Sequence, residues 1–131
     1  MDTYYENVKD KIDLSELVEK HLQEREIFKV TGDDKVYLVV GKKPRPSRTR
    51  LVSVNVLAAL RDNETGETDG VLNINIQDTD TLWIEYIGEY IQLIMDEAIV
   101  SNYRLTFNTE HLFKVADGLY FKNLKFNFSK I

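Results

Sequence analysis

Only two histidines, His21 and His111, stand among the 131 residues, and there is no cysteine. A nucleophile–base pair needs a histidine or another base within hydrogen-bond reach of a serine, threonine or cysteine. His21 shares one helical stripe with Leu14, Leu17, Val18 and Leu22 and reads as a residue at the edge of a core. His111 lies in Asn108-Thr109-Glu110-His111, a polar stretch that reads as a turn. Neither is spaced with carboxylates as in a zinc site or a calcium loop. Gly41-Lys42-Lys43 lacks the spacing and the hydroxyl residue of a phosphate-binding loop. Asp78 and Asp80 precede a helical pattern, where capping accounts for them. Asp62, Glu64 and Asp69 are the remaining carboxylates that could meet a metal, without the spacing of a known loop. The expectation is a protein with no catalytic site, no cofactor, no bound metal and no small-molecule substrate.

Charge is the stronger signal. The net charge is −5, which argues against nucleic acid as main partner, since phosphate neutralisation dominates that binding. The layout is uneven. Residues 42–50 carry five positive charges, Lys42, Lys43, Arg45, Arg48 and Arg50, and no acid. Residues 61–85 carry Asp62, Glu64, Glu67, Asp69, Asp78, Asp80 and Glu85 against Arg61 alone. One cationic segment therefore sits on an anionic body. It serves solubility, an anionic patch of another subunit, or a phosphate.

These residues need a scaffold. A chain of 131 residues suits a single domain with one core, 1–131. Absence of cysteine suits a reducing compartment. No apolar run reaches the ~18 residues of a membrane span and no signal region opens the chain, so no membrane partner is expected. Asp13 and Glu16 form a capping pair before the first helical stripe, and Tyr5, Val8 and Ile12 form an earlier one out of phase. Ile27–Thr31 and Lys35–Gly41 read as a hairpin. Pro44 and Pro46 make the basic segment a loop or sheet edge.

Val52, Val54 and Val56 alternate with Ser53 and Asn55, and Leu72, Ile74 and Ile76 alternate with Asn73 and Asn75. Both are strand patterns, joined by a polar tip at 61–70 that is expected to project. A long helix follows over Thr81–Val100. Its apolar residues Leu82, Trp83, Tyr86, Ile87, Tyr90, Ile91, Ile94, Met95, Ala98 and Ile99 cover about half its circumference. Trp83, Tyr86 and Tyr90 either lie over the sheet or form an interface. Gly88 in the middle suits a close contact. Tyr103–Phe107, Leu112–Ala116 and Leu119–Phe128 read as strands, and Asp117-Gly118 as a two-residue hairpin turn. The order predicts an α+β fold: a mostly antiparallel β-sheet, two helices packed on one face and a projecting β-hairpin. Long strand edges on the 51–76 hairpin would be an aggregation risk unless a neighbouring copy paired with them.

Residues 71–78, Val-Leu-Asn-Ile-Asn-Ile-Gln-Asp, follow a polar turn ending Asp69-Gly70 and lead into the long helix. This segment is similar to the Gly-Val-x-Asn-x-Asn-Ile stretch of tail-terminator and head–tail connector (tail completion) proteins of tailed phages. The closing Tyr120-Phe121-Lys122-Asn123-Leu124-Lys125-Phe126 is similar to that family's final strand. The N-terminal helix, the early hairpin and Val54-Asn55-Val56-Leu57 fit the same layout. The resemblance implies a structural virion protein, assembled in the host cytoplasm, that forms a homo-oligomeric ring, typically of six copies, at the neck. Such a ring stops tube growth, meets neighbouring tail-tube or connector proteins and lets DNA pass through its lumen without catalysis. An anionic lumen wall would not grip that DNA, because like charges repel. Residues 61–80 would then line the lumen or a subunit contact, with Lys42–Arg50 and Trp83 at contacts too. The runner-up is a small acidic binding protein that inhibits a nucleic-acid enzyme by presenting a DNA-like array of carboxylates. Charge reversal at Arg45, Arg48 and Arg50 is expected to change oligomer size, measured by light scattering at low and high salt. An unchanged size at both would remove the loop as an assembly contact.

Overall fold

The computed structural model describes residues 14–25, 38–40, 51–61 and 68–131, with side chains over 14–25, 51–56 and 69–131. The first helix, α1, covers residues 14–23. It is followed by β1 (Leu38–Val40), β2 (Leu51–Arg61), β3 (Thr68–Asp78) and α2 (Thr81–Met95). A two-residue strand β4 (Ile99–Val100) and the long pair β5 (Tyr103–Ala116) and β6 (Leu119–Lys130) complete the chain. The expected α+β architecture is present: one six-stranded sheet in the order β1-β2-β3-β6-β5-β4. Every pairing is antiparallel except that of β1 with β2.

Alternation decides the two faces. Val52 and Val54 of β2, Leu72, Ile74 and Ile76 of β3, and Leu124, Phe126 and Phe128 of β6 are buried in one cluster. Leu14, Val18 and Leu22 of α1 and Ile84, Ile87, Ile91 and Met95 of α2 join it, so both helices cover the same face. Ser15 ties α1 to the sheet by accepting a hydrogen bond from the Val56 N–H at 3.2 Å. On the opposite face the asparagines form an amide network. Asn75 donates to Asn55 at 3.2 Å, and Asn123 donates to Asn75 at 2.7 Å and to Asn73 at 3.2 Å. Buried amides need such partners. A one-residue slip of β3 would exchange three core aliphatics for these amides, so the network and the core hold the same register.

Several elements differ from the sequence expectation. Leu38–Val40 runs parallel to β2, a pairing the sequence reading did not include. Its predicted partner, 27–31, lies outside the described residues, as do the N-terminal stripe, Asp13, the basic segment and the tip at 62–67. The strand β3 is internal, because β6 accompanies it from Asp78↔Tyr120 to Asp69↔Ser129. The 51–76 hairpin therefore has no free edge along β3. The stretch Asn108–His111 is not a turn but part of a continuous β5, with a bulge between Phe107 and Thr109. A strand exposed on both faces carries polar residues that mimic turn composition. The helix α2 stops at Met95, not Val100. Glu97 adopts φ 63 and Ser101 φ 55, and β-branched Ile99-Val100 pair with Tyr103-Arg104 instead. Asp117-Gly118 closes β5–β6 as expected, with Gly118 at φ 72 and Ala116 paired to Leu119.

Asp80 caps α2, its carboxylate accepting from the backbone N–H of Leu82 at 2.9 Å and of Trp83 at 3.3 Å. Gly88 allows the close approach the sequence suggested. A Cβ there would stand 3.1 Å from Cδ and 3.2 Å from Cε of Lys122. Replacing Gly88→Val therefore forces the buried Lys122 stem and the helix apart. Its expected cost is about 1–3 kcal/mol, read as a lower urea midpoint with the far-ultraviolet dichroism preserved.

Candidate functional site

The side chains that sequence alone marked are scattered. Lys42, Lys43, Arg45, Arg48, Arg50, Asp62, Glu64 and Glu67 lie outside the described residues. Asp69 is exposed on β3, opposite Leu60 and Ser129. Trp83 is half-buried and packs on the core. Asp78 is buried, Asp80 is occupied as the α2 cap and Glu85 is paired with Lys122. The four described acids of 61–85 thus do not form one carboxylate array of the kind a DNA mimic presents.

Neither histidine stands in a reactive cluster. His111 is exposed on β5 opposite Asn123. His21 is half-buried on α1, its Nε2 lying 3.2 Å from Nη2 of Arg25. Among the described residues no group of three His, Asp or Glu is placed to hold a metal ion, and no helix is long and apolar enough to cross a membrane.

The structure instead gathers charge along the junction of α2 and the β5–β6 ribbon. A groove of about 450 Å³ opens there, lined by Glu85, Glu89, Asp96, Glu110 and Lys122 with Gln92 and Leu93. Lys122 forms its floor at 4% exposure, its Nζ 2.7 Å from Glu85 and 3.5 Å from Glu110, both half-exposed. An ammonium is expensive to desolvate, and two flanking carboxylates offset that cost. Asp96 also closes the helix, its carboxylate accepting the Phe107 N–H at 2.9 Å. Glu89 has no ion-pair or hydrogen-bond partner among the described residues. Sequence reasoning missed this groove, although its parts follow a readable pattern. The parity that sends Leu124, Phe126 and Phe128 inward also sends Lys122 inward. Glu85 and Glu89 share one helix flank at i, i+4.

Beside the groove runs an apolar ridge that no described element covers. Leu82, Tyr86 and Leu93 are 79%, 60% and 78% exposed. The sequence reading included Leu82 and Tyr86 in one wide apolar band, left Tyr86 open between sheet and interface, and omitted Ile84, which is fully buried. The buried positions 84, 87, 88, 91 and 95 form one stripe, leaving Leu82 and Tyr86 on the far side. The outer edge of β5 is a second open surface. β4 pairs only with Tyr103 and Arg104, the Leu105 N–H reaches Ala98 at 2.8 Å, and beyond Phe107 the edge has no partner strand among the described residues. Leu112, Phe113 and Val115 are exposed along it. On the amide face Phe113 and Phe121 pack with ring centroids 5.1 Å apart, and with His111 and Asn123 they line a second hollow of about 600 Å³.

The fold has a counterpart among solved structures. A chain of the virion of a native gene transfer agent particle is similar, with a TM-score of 0.61 and 13% sequence identity over 99% of this chain and 98% of that one. No family model matches the sequence, nor does any curated protein. At that identity the likeness shows a shared fold.

One titration follows from the geometry. Burial, and then the Arg25 charge, lower the His21 pKa below its ordinary 6.5, with Glu24 acting the other way. The unfolded chain therefore takes up the proton first, and stability falls as pH drops through about 6.5. Glu19, raised from 4.5 by burial and Glu16, opposes this only nearer its own range. His21→Gln is expected to flatten the change in urea midpoint between about pH 7.5 and about pH 6. An unaltered slope would exclude His21 as its source.

Proposed function

We propose that this protein is a structural subunit of a tailed-phage-like virion, acting as a tail terminator or neck connector. Copies of it assemble into a ring, typically of six, that caps the tail tube and joins it to the head. The observation that carries this reading is the end-to-end fold match to a chain of a gene transfer agent virion. The resemblance of residues 69–78 and 120–126 to the terminator and connector proteins supports the finer assignment. So do the open surfaces. Among the described residues nothing covers Leu82, Tyr86 and Leu93 of α2 or the β5 edge beyond Phe107, and exposed apolar side chains beside an unpaired strand edge are features of contact sites. The partners are other copies and the adjoining tube or connector proteins, with DNA only passing through the lumen. Function here is adhesion and geometry, without a chemical step.

Electron microscopy and native mass measurement test the reading, using purified protein over rising concentration and then mixed with tail tubes of the same particle. Rings of uniform copy number, free or seated on tube ends, are expected. A protein that stays monomeric throughout and binds no tube end overturns it.

A further inference from the structure

We propose that the groove between α2 and the β5–β6 ribbon, with the apolar α2 ridge as its lip, receives the basic segment Lys42–Arg50 of a second copy of this chain. The proposal rests on the assembly reading and names the contact that would make it.

The groove is concave and anionic. Four carboxylates, Glu85, Glu89, Asp96 and Glu110, surround one ammonium, that of Lys122. Lys122 is already held by Glu85 and Glu110. Glu89 is left to face an incoming charge, next to Leu93 on the exposed ridge. The complementary segment is unique in the sequence: five cations within residues 42–50 and no acid. Opposite potentials of this kind steer association and fix orientation. Pro44 and Pro46 restrict the backbone there, which lowers the entropy lost on capture.

Reach argues for a neighbour's segment over the chain's own. The segment is anchored by β1 at Val40 and by β2 at Leu51, on the opposite side of the sheet from β5. With ~4.8 Å between strands, β5 lies about 19 Å from β1 and about 14 Å from β2. The linking residues 41–50 span at most about 38 Å when fully extended. Going out to β5 and back takes about 33 Å of that, so the chain's own segment would reach the far wall of the groove only when nearly straight, with little length left to line it. A cationic segment on one border and an anionic groove at the other instead make a head-to-tail contact, the type that closes into rings.

The test is binding of a labelled peptide of residues 41–51 to the full-length protein, followed by fluorescence anisotropy over a salt series. Binding is expected to weaken steadily with salt. It is expected to weaken about tenfold with Glu89→Lys, a surface change checked for folding by circular dichroism. In the whole protein Arg48→Glu should reduce self-association, and mixing it with Glu89→Lys should restore hetero-assembly through the swapped pair. No peptide binding, equal binding to Glu89→Lys, or equal binding of a scrambled peptide overturns the proposal. If Glu89→Lys forms the same rings as the parent, the groove assignment fails while the ring reading stands. If the peptide binds as expected but the protein neither forms rings nor seats on tubes, the ring reading fails while the groove assignment stands.

Discussion

The register of β3 is the constraint on which the rest depends. This strand has a neighbour on both sides and a different environment on each face. Leu72, Ile74 and Ile76 fill the core under both helices, and Asn73 and Asn75 join amides from β2 and β6. Apolar burial gives most of the energy, roughly 25 cal/mol per Å², but it tolerates many arrangements. The amides do not, because each carries donors and acceptors that are costly to leave unmade where water reaches them only in part. Hydrophobic packing thus selects the face, and the amide bonds select the alignment. α2 inherits its place from this, since its cap, Asp80, follows β3 by two residues.

Where the sequence was legible, a periodic pattern and a core coincided. The valines of β2, the aliphatics of β3 and the aromatics of β6 each announced their inward face, and Asp117-Gly118 announced its turn. Legibility failed where a segment obeys its surroundings more than its composition. β5 beyond Phe107 is solvated on both faces, so Asn108–His111 carries the polar residues of a loop while pairing as a strand. Ile99 and Val100 extend the helical apolar pattern of α2, yet they leave it because pairing with Tyr103 and Arg104 competes for the same backbone. Leu82 and Tyr86 belong to the same apolar band as Ile87 and Ile91 yet are exposed, since hydrophobicity alone does not say which part of a wide band faces the sheet.

The candidate surface was legible only in part. The sequence pointed to charge and to α2, but it placed the acidic contact surface at 61–80. Of those acids the described ones do not converge: Asp69 is exposed on β3, Asp78 is buried and Asp80 caps α2. The carboxylates that do converge come from α2 and β5, elements distant in sequence. Lys122 explains why they tolerate one another. It stands beneath Gly88, where the missing side chain leaves room for its stem, and it joins helix to ribbon by charge.

The Asp96 carboxylate bonds the Phe107 N–H where a further residue of β4 would otherwise stand. A side chain thereby stands in for backbone and ends the ladder. A strand added at this border would find its first open backbone groups beyond Phe107, so one carboxylate shortens the length of β5 left open to pairing and limits the edge-to-edge association that long bare strands invite.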